Sequence, residues 1–166
     1  LELDPLNPAM YNSAGFVQYS ARHFSEAIPL YAKALELNPN MPFAHASIGN
    51  SLFGLGKYRE ARGEYLAEPL DILRLPALAI VERKLGNEVA ARDAMKKLVT
   101  DRGEGSSYQQ AQIFSQWGQV GEALDLLEHA AKIGDTGITN ARNDPMLDPL
   151  RREPRFTRLL KQLGFD

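Results

Sequence analysis

The sequence predicts an all-α protein in which about four helix pairs stack into a right-handed superhelix with a C-terminal capping helix. The first observation behind this prediction is an internal repeat, because LELDP at residues 1–5 returns as LELNP at residues 35–39. Further residues recur at the same offset of 34 positions: Pro8, Ser13, Gly15, Glu26, Ala27 and Tyr31 return as Pro42, Ser47, Gly49, Glu60, Ala61 and Tyr65. A fixed period of this length is typical of two-helix units, each of which buries its apolar face only by stacking on its neighbours.

Residues that end helices divide the chain into units. Asn38 and Pro39 end the second helix of the first unit, and LGN at residues 85–87 repeats LGK at residues 55–57 at a shorter offset of 30. We predict these segments: the tail of a preceding repeat (1–7), a first unit (8–41), a second unit (42–71), a shortened third unit (72–103), a fourth unit (104–134), and a loop with a capping helix (135–166). Because the chain begins with a repeat tail and without Met, we expect it to be a fragment of a longer protein.

The C-terminal part of the chain predicts one loop and one helix. Residues 133–145 contain Gly134, Gly137 and Pro145 without helical periodicity, which indicates a loop. After Pro154, apolar residues recur at i, i+3, i+4 and i+7: Phe156, Leu159, Leu160 and Leu163. This pattern predicts an amphipathic helix that covers the last apolar face of the stack.

Composition and charge exclude several function classes. The chain has 166 residues, of which 44% are hydrophobic and 24% charged, and its net charge is −2, which is ordinary for a soluble globular protein. A weakly negative chain is a poor partner for nucleic acid. No apolar run approaches the roughly 20 residues that a membrane helix needs, and no segment has the pattern of a signal peptide. We therefore expect a cytoplasmic protein that contacts neither nucleic acid nor membrane.

The sequence shows no constellation of catalytic or metal-binding residues. Cysteine is absent, which excludes thiolate chemistry and cysteine-based zinc sites. His23, His45 and His129 lie in different units, and none belongs to an H-E-x-x-H arrangement. The G-x-S-x-G motif of hydrolases and the G-x-x-x-x-G-K-[ST] loop that binds phosphates are also absent. We expect no catalytic site, metal or cofactor in this chain, and any enzymatic activity would belong to a domain upstream of Leu1.

A pattern of aromatic, apolar, glycine and alanine residues occurs at matching places in the first two units, while the second unit has His45 at the first aromatic position and Leu73 in place of the proline. The residues that follow the pattern are Tyr11, Ala14, Gly15, Ala27, Tyr31, Ala34 and Pro39 in the first unit, and Ile48, Gly49, Leu52, Ala61 and Tyr65 in the second. In this pattern the chain resembles the tetratricopeptide repeat (TPR) family. The C-terminal residues 143–160 also resemble the end of TPR arrays in bacterial multidomain regulators, where the array follows a nucleotide-cyclase, kinase or winged-helix DNA-binding domain.

The resemblance implies that the first helix of each unit lines a concave groove. Carried onto this sequence, the groove positions are Asn12, Phe16, Tyr19, Phe43, Asn50, Phe53, Arg83, Lys84, Tyr108 and Gln112. Such a lining is aromatic and rich in amides, so it suits an extended or helical segment of a partner protein on an open surface, without an enclosed pocket. The opposite interpretation also stands, in which Phe16, Tyr19 and Phe53 pack against neighbouring helices or against the chain's own tail.

Some members of the family hold a C-terminal carboxylate with paired lysine and asparagine residues on the first helices. At the corresponding places of the first helix this chain has Asn12 and Phe16. We therefore expect no such carboxylate clamp, and only Arg83 or Lys84 offers positive charge to the groove.

These observations favour a non-catalytic protein-interaction or regulatory module of a larger bacterial protein, which binds a partner segment on its concave face. Two alternatives stay open. The chain could instead pair with a second copy as a homodimer, or it could take a small molecule in the groove as a sensory domain.

Overall fold

The computed structural model describes residues 6–165, so most of the predicted repeat tail, residues 1–5, lies outside the described residues. The α-helices in chain order are α1 (Pro8–Ser20), α2 (Phe24–Leu37), α3 (Ala44–Gly54), α4 (Tyr58–Ala67), α5 (Asp71–Lys84), α6 (Glu88–Arg102), α7 (Ser107–Gln116), α8 (Val120–Ile133) and α9 (Pro154–Gln162). Three short 3-10 helices occur at Gly103–Ser106, Thr136–Asn140 and Pro145–Leu150. No strand is present among residues 6–165, and the predicted all-α stack of helix pairs is confirmed.

The segment predicted as a loop, residues 133–145, is more regular than expected. Asp135 begins a 3-10 turn by accepting a hydrogen bond from the Gly137 amide at 2.9 Å. Asp144 begins the next turn by accepting one from the Met146 amide at 2.9 Å. The sequence pattern missed these turns because a 3-10 helix has about three residues per turn and leaves no amphipathic period of about 3.6.

One turn geometry joins the two helices of each of the four pairs α1–α2, α3–α4, α5–α6 and α7–α8. The turn residue has a positive φ angle in each pair: Arg22 (64°), Gly56 (75°), Gly86 (84°) and Gly118 (79°). Five positions later stands an alanine with no exposed surface: Ala27, Ala61, Ala91 and Ala123. The tight turn and the small side chain together allow the second helix of each pair to lie close against the first.

In the first two pairs, a glycine on one helix faces a tyrosine ring on the other. A Cβ atom added at Gly15 would lie 2.8 Å from the ring of Tyr31, and one added at Gly49 would lie 2.4 Å from the ring of Tyr65. Both distances are shorter than a carbon contact allows, so only glycine fits under each ring. The sequence repeat therefore preserves a packing contact.

In the third and fourth pairs, the small residue is alanine and its partner is not aromatic. Ala79 packs in one core cluster with Met95, and Ala111 packs in another with Leu127. Compared with the first two pairs, the first helix carries a methyl group in place of the glycine hydrogen and the second helix lacks the aromatic ring. The two changes compensate in volume, so the interface stays filled. The repeat signature fades in these pairs because a different combination of side chains fills the same space.

The last pair is joined to the rest through α5 and through the C-terminal residues. Among the helices of the preceding pairs, α7 packs mainly on α5 and only lightly on α6. Met146, from the third 3-10 helix, is buried in the same cluster as Ile80 of α5 and Ile113 of α7. At the far end, Phe156 and Leu159 of α9 are buried against the α7–α8 pair, the place expected of a capping helix.

Substitution of glycine by alanine should have opposite effects on stability at two positions, Gly49 and Gly63. Gly49→Ala forces a methyl group into the Tyr65 ring, so we expect the free energy of unfolding to fall by about 1–3 kcal/mol. Gly63 is exposed on α4 with open space around an added Cβ. Gly63→Ala should therefore raise the free energy of unfolding by about 1 kcal/mol through helix propensity. Urea denaturation followed by circular dichroism measures both changes, and equal effects would contradict the close helix contact.

Candidate binding site

The first helices of the four pairs, α1, α3, α5 and α7, line the inner face of the stack together with residues 135–150, which we call the tail segment. Between them lies a cavity of about 590 Å³. The sequence predicted an open groove without an enclosed pocket, and this expectation is wrong because the tail segment turns back across the groove after α8. The inner face is therefore partly enclosed.

Two side chains of α7 hold the tail segment through a buried carboxylate. The Tyr108 hydroxyl and the Gln112 amide donate hydrogen bonds to Oδ2 of Asp144 at 2.7 and 2.6 Å, while the Met146 amide binds its Oδ1. Burial raises the pKa of Asp144, and these bonds and the charge of Arg151 oppose the shift without cancelling it. Burial and the Asp144 carboxylate likewise raise the pKa of Tyr108. The carboxylate is thus held by neutral donors more than by opposite charge.

Further side chains of α7 bind the backbone of the tail segment. Ser115 Oγ and Gln116 Nε2 donate to the carbonyl oxygen of Met146 at 3.1 and 2.8 Å. Gly137 lies against the Tyr108 ring, where an added Cβ would be only 2.6 Å away. The inner side chains of the fourth pair therefore bind this chain's own tail, which is one of the two interpretations that the sequence left open for groove residues.

Arg22 joins the opposite end of the stack to the tail segment. From the α1–α2 turn, its guanidinium binds the Asp148 carboxylate and donates to the carbonyl oxygen of Asn143 at 3.2 Å. The φ angle of Arg22 is 64°, which costs a residue with a side chain about 1–2 kcal/mol. The other three turns have glycine at this place. The strained arginine thus connects the first pair to the tail segment.

The mouth of the cavity is aromatic. Phe16 of α1 is 45% exposed, and Phe43, which precedes α3, is 50% exposed. The φ angle of Phe43 is 67°, a conformation that is rare for a bulky residue. Backbone outliers of this kind concentrate at ligand contacts. Behind these rings, α5 contributes an apolar wall that includes Ile72, Pro76 and Ile80.

Several residues that line the cavity have buried oxygen atoms without a hydrogen-bond partner in the described part of the chain. They include Asn12 of α1, Tyr19 of α1 and Gln109 of α7. Burial, followed by the charges of Asp144 and other nearby groups, raises the pKa of Tyr19, so its hydroxyl stays protonated. An unsatisfied buried polar group costs about 1–3 kcal/mol. In native proteins such groups are nearly always satisfied by the protein, by ordered water or by a bound group.

The structure brings seven of the ten predicted groove residues to the cavity wall: Asn12, Phe16, Tyr19, Phe43, Asn50, Tyr108 and Gln112. Tyr19 and Tyr108 are buried there, with 7% and 3% exposed surface. Asn50 accepts a hydrogen bond from the Tyr65 hydroxyl at 2.9 Å. Its side chain therefore also supports the α3–α4 pair. A binding role for these residues stays a prediction.

Three predicted groove residues lie away from the cavity. Phe53 packs between two core clusters, with its ring centroid 5.1 Å from that of Tyr58. Arg83 lies over the Trp117 ring at 4.8 Å, because α7 packs on α5 and ends beside it. Lys84 is exposed at the end of α5 and is not part of the lining.

Sequence reasoning missed the contribution of the tail segment to the cavity wall. Asp144, Met146, Asn140 and Gly137 all line it. One signal was available, because Asp-Pro followed by Met146, Leu147 and a further leucine is too apolar for a solvated loop. The contact partners of these residues are distant in sequence, so no local pattern indicates where the tail segment docks.

The sequence model of the tetratricopeptide repeat matches residues 8–41. Residues 8–41 therefore form a tetratricopeptide repeat. An uncharacterized TPR repeat-containing protein of Arabidopsis thaliana is 40% identical over 52 residues, which is 31% of this chain but 6% of the plant protein. The crystal structure of YrrB, described as a TPR protein with an unusual peptide-binding site, superposes with a TM-score of 0.54. At 18% identity, over 98% of this chain and 91% of YrrB, it shows that the TPR fold extends beyond the matched repeat.

Neither a cluster of metal ligands nor a membrane-spanning helix is found among residues 6–165, and His45 has its partner outside the cavity. No group of three or more His, Asp or Glu side chains there is arranged to hold a metal ion. His45 lies outside the cavity and pairs with Glu64, Nδ1 to Oε2, at 2.8 Å. Within the same residues, no helix is long and apolar enough to cross a membrane.

Substitutions at Arg22 separate backbone strain from the contact with the tail segment. Arg22→Gly removes both, so we expect the free energy of unfolding to change by less than about 1 kcal/mol, because relief of strain offsets a half-exposed ion pair. Arg22→Ala keeps the strain and should be about 1 kcal/mol less stable than Arg22→Gly. In both variants, hydrogen exchange at the amides of residues 143–151 should become faster. Unchanged exchange would show that Arg22 does not hold the tail segment.

Proposed function

We propose that this TPR protein binds a segment of a partner protein in the cavity between its first helices and the tail segment. The observation that carries this proposal is the exposed aromatic mouth, formed by Phe16 and Phe43, above a cavity lined with amides and hydroxyls. Aromatic rings provide apolar area for binding, and side-chain amides pair with a peptide backbone. The peptide-binding site named for YrrB supports the same kind of ligand.

The size of the cavity limits the length of the bound segment, and its aromatic mouth sets the expected affinity. About 590 Å³ accommodates a few residues of a peptide and lies within the range of about 300–1,000 Å³ that is usual for ligand pockets. If the two mouth rings become buried on binding, an affinity in the micromolar range, about −8 kcal/mol, is the expected order. The tail segment bounds the cavity on the side of α7, so we expect the partner segment to enter from the mouth beside α1 and α3 and to reach inward toward Asp144.

A small molecule is the second candidate ligand, because the tail segment turns the groove into a partly enclosed pocket. A ligand of that kind would raise the melting temperature of the chain without any peptide, through its preference for the folded state. A screen of small metabolites by thermal shift distinguishes the two candidates. The cytoplasmic location and the regulatory bacterial parent protein stay predictions from the sequence.

Phe16→Ala tests the aromatic mouth. Peptides of twelve residues are first selected against the chain by phage display, and the tightest is measured by fluorescence polarisation. We expect Phe16→Ala to weaken its binding by at least about tenfold, because a buried phenylalanine contributes about 1.5–3 kcal/mol. The melting temperature should hardly change, since Phe16 is not part of the core.

Val89→Ala is the matched control, because Val89 is 76% exposed on α6 and does not line the cavity. This variant should bind the selected peptide as the natural chain does. Equal binding by all three proteins would contradict the proposed site. Sedimentation velocity over a concentration series would show in the same preparation whether two copies of the chain associate instead.

A further inference from the structure

We infer that the group which the partner segment inserts into the cavity is a hydrogen-bond-donating cation, a lysine or arginine side chain, and that the cavity rejects carboxylates and phosphates. This inference rests on the proposed binding of a partner segment and specifies its chemistry. It depends on three features of the wall, which are its charge, its unpartnered oxygen atoms and its aromatic mouth.

The charge of the wall favours a cation. Asp144, with 8% of its surface exposed, is the one charged side chain among the described residues that line the cavity, and none of those residues is a lysine, arginine or histidine. The nearby arginines have other partners. Arg22 binds Asp148, while Arg151 binds Asp148 and the carbonyl oxygens of Ala141 and Asp144. An anion in this cavity would therefore find no opposite charge, and its loss of hydration would stay uncompensated.

The Asp144 carboxylate still has capacity for a cation. A carboxylate can accept about four hydrogen bonds, and Asp144 accepts three, from Tyr108, Gln112 and the Met146 amide. Burial raises the pKa of Asp144, which means that the hydrogen bonds and the charge of Arg151 stabilise the ionised carboxylate less than burial destabilises it. A cation beside Asp144 would stabilise the ionised carboxylate further.

The unpartnered oxygens of the wall require donors. The buried oxygens of Asn12 and Gln109 are amide acceptors, and the Tyr19 hydroxyl can accept as well as donate. A carboxylate brings acceptors only, whereas an ammonium group brings three donors and a guanidinium five. After small side-chain rotations that turn these oxygens toward the cavity, a cationic ligand would satisfy all three. An anionic ligand could pair only with the Tyr19 hydroxyl and would leave both amide oxygens unsatisfied.

The aromatic mouth suits the stem of such a side chain. Phe16 and Phe43 present half-exposed rings at the entrance. The methylene groups of lysine and arginine pack on apolar surface while the charged end reaches further, and a cation is also attracted to the face of an aromatic ring. Apolar stem and polar end thus correspond to the two kinds of lining, aromatic rings on one hand and amides with a carboxylate on the other.

Three matched peptides test the inference. Each has five residues with blocked ends, and the central residue, between two leucines, is lysine, methionine or glutamate. Binding to the complete chain is followed by NMR titration at low salt. We expect the lysine peptide to bind about tenfold more tightly than the methionine peptide, as one charge-assisted hydrogen bond provides, and the glutamate peptide to bind more weakly than both.

Tyr19→Phe provides the matched variant, because it removes one unpartnered oxygen without removing the ring. Its melting temperature should stay the same or rise, while the preference for lysine over methionine should fall about tenfold. Tyr65→Phe is the control. The Tyr65 hydroxyl already donates to Asn50, so this variant should lose stability and keep the preference.

The possible outcomes separate the inference from the proposed function. Glutamate and lysine peptides of equal affinity, or an unchanged preference in Tyr19→Phe, would overturn the inference while leaving peptide binding intact. If none of the three peptides binds but a phage-selected peptide does, the inference is also overturned and the proposed function stands. If no peptide of either kind binds, both are wrong.

Discussion

The close contact between a glycine on one helix and a tyrosine ring on the next is the constraint on which the first half of the molecule depends. Gly15 under Tyr31 and Gly49 under Tyr65 fix the separation of the two helices, because the ring leaves no room for a Cβ. The same tyrosines reach the inner face. Tyr31 lines the cavity, and the Tyr65 hydroxyl orients Asn50 by a hydrogen bond. The side chains that join the helices therefore also position the cavity wall.

The second half of the molecule packs its helix pairs with different side chains, and the tail segment contributes to its core. Among the helices of the other pairs, α7 packs mainly on α5, and the third 3-10 helix packs on α7 to a similar extent. Met146 is buried beside Ile80 and Ile113, with 4% of its surface exposed. The tail segment is thus part of the core as well as part of the cavity wall, so folding of the last pair and closure of the cavity are linked.

The sequence alone predicted the helices, which depend on local periodicity. It did not predict the position of the tail segment, which depends on contacts between residues far apart in the chain. The helix pairs follow from positions such as Gly49 and Tyr65, whose repetition is visible along the chain. The tail segment follows from hydrogen bonds across some thirty or more positions, such as the 2.7 Å bond from Tyr108 to Asp144, which no local pattern records. Phe53 lies at a family groove position, yet it joins the core because the neighbouring Tyr58 ring covers it. Family position therefore indicates a helix face, while local packing decides which side chains on it stay accessible.

The repeats and the tail segment contribute different chemistry to the cavity wall, and this difference would give the groove the preference that we infer. The residues that α1, α3, α5 and α7 contribute to the wall are aromatic, aliphatic, hydroxyl or amide, and none of those described carries a formal charge. A groove of that composition distinguishes ligands by shape and hydrogen bonding only. The tail segment adds Asp144, and burial strengthens the interaction of this carboxylate with any charge nearby, since the local dielectric is low. One folded-back segment therefore contributes the negative charge of the cavity wall, and Arg22 joins that segment to the α1–α2 turn at the other end of the stack.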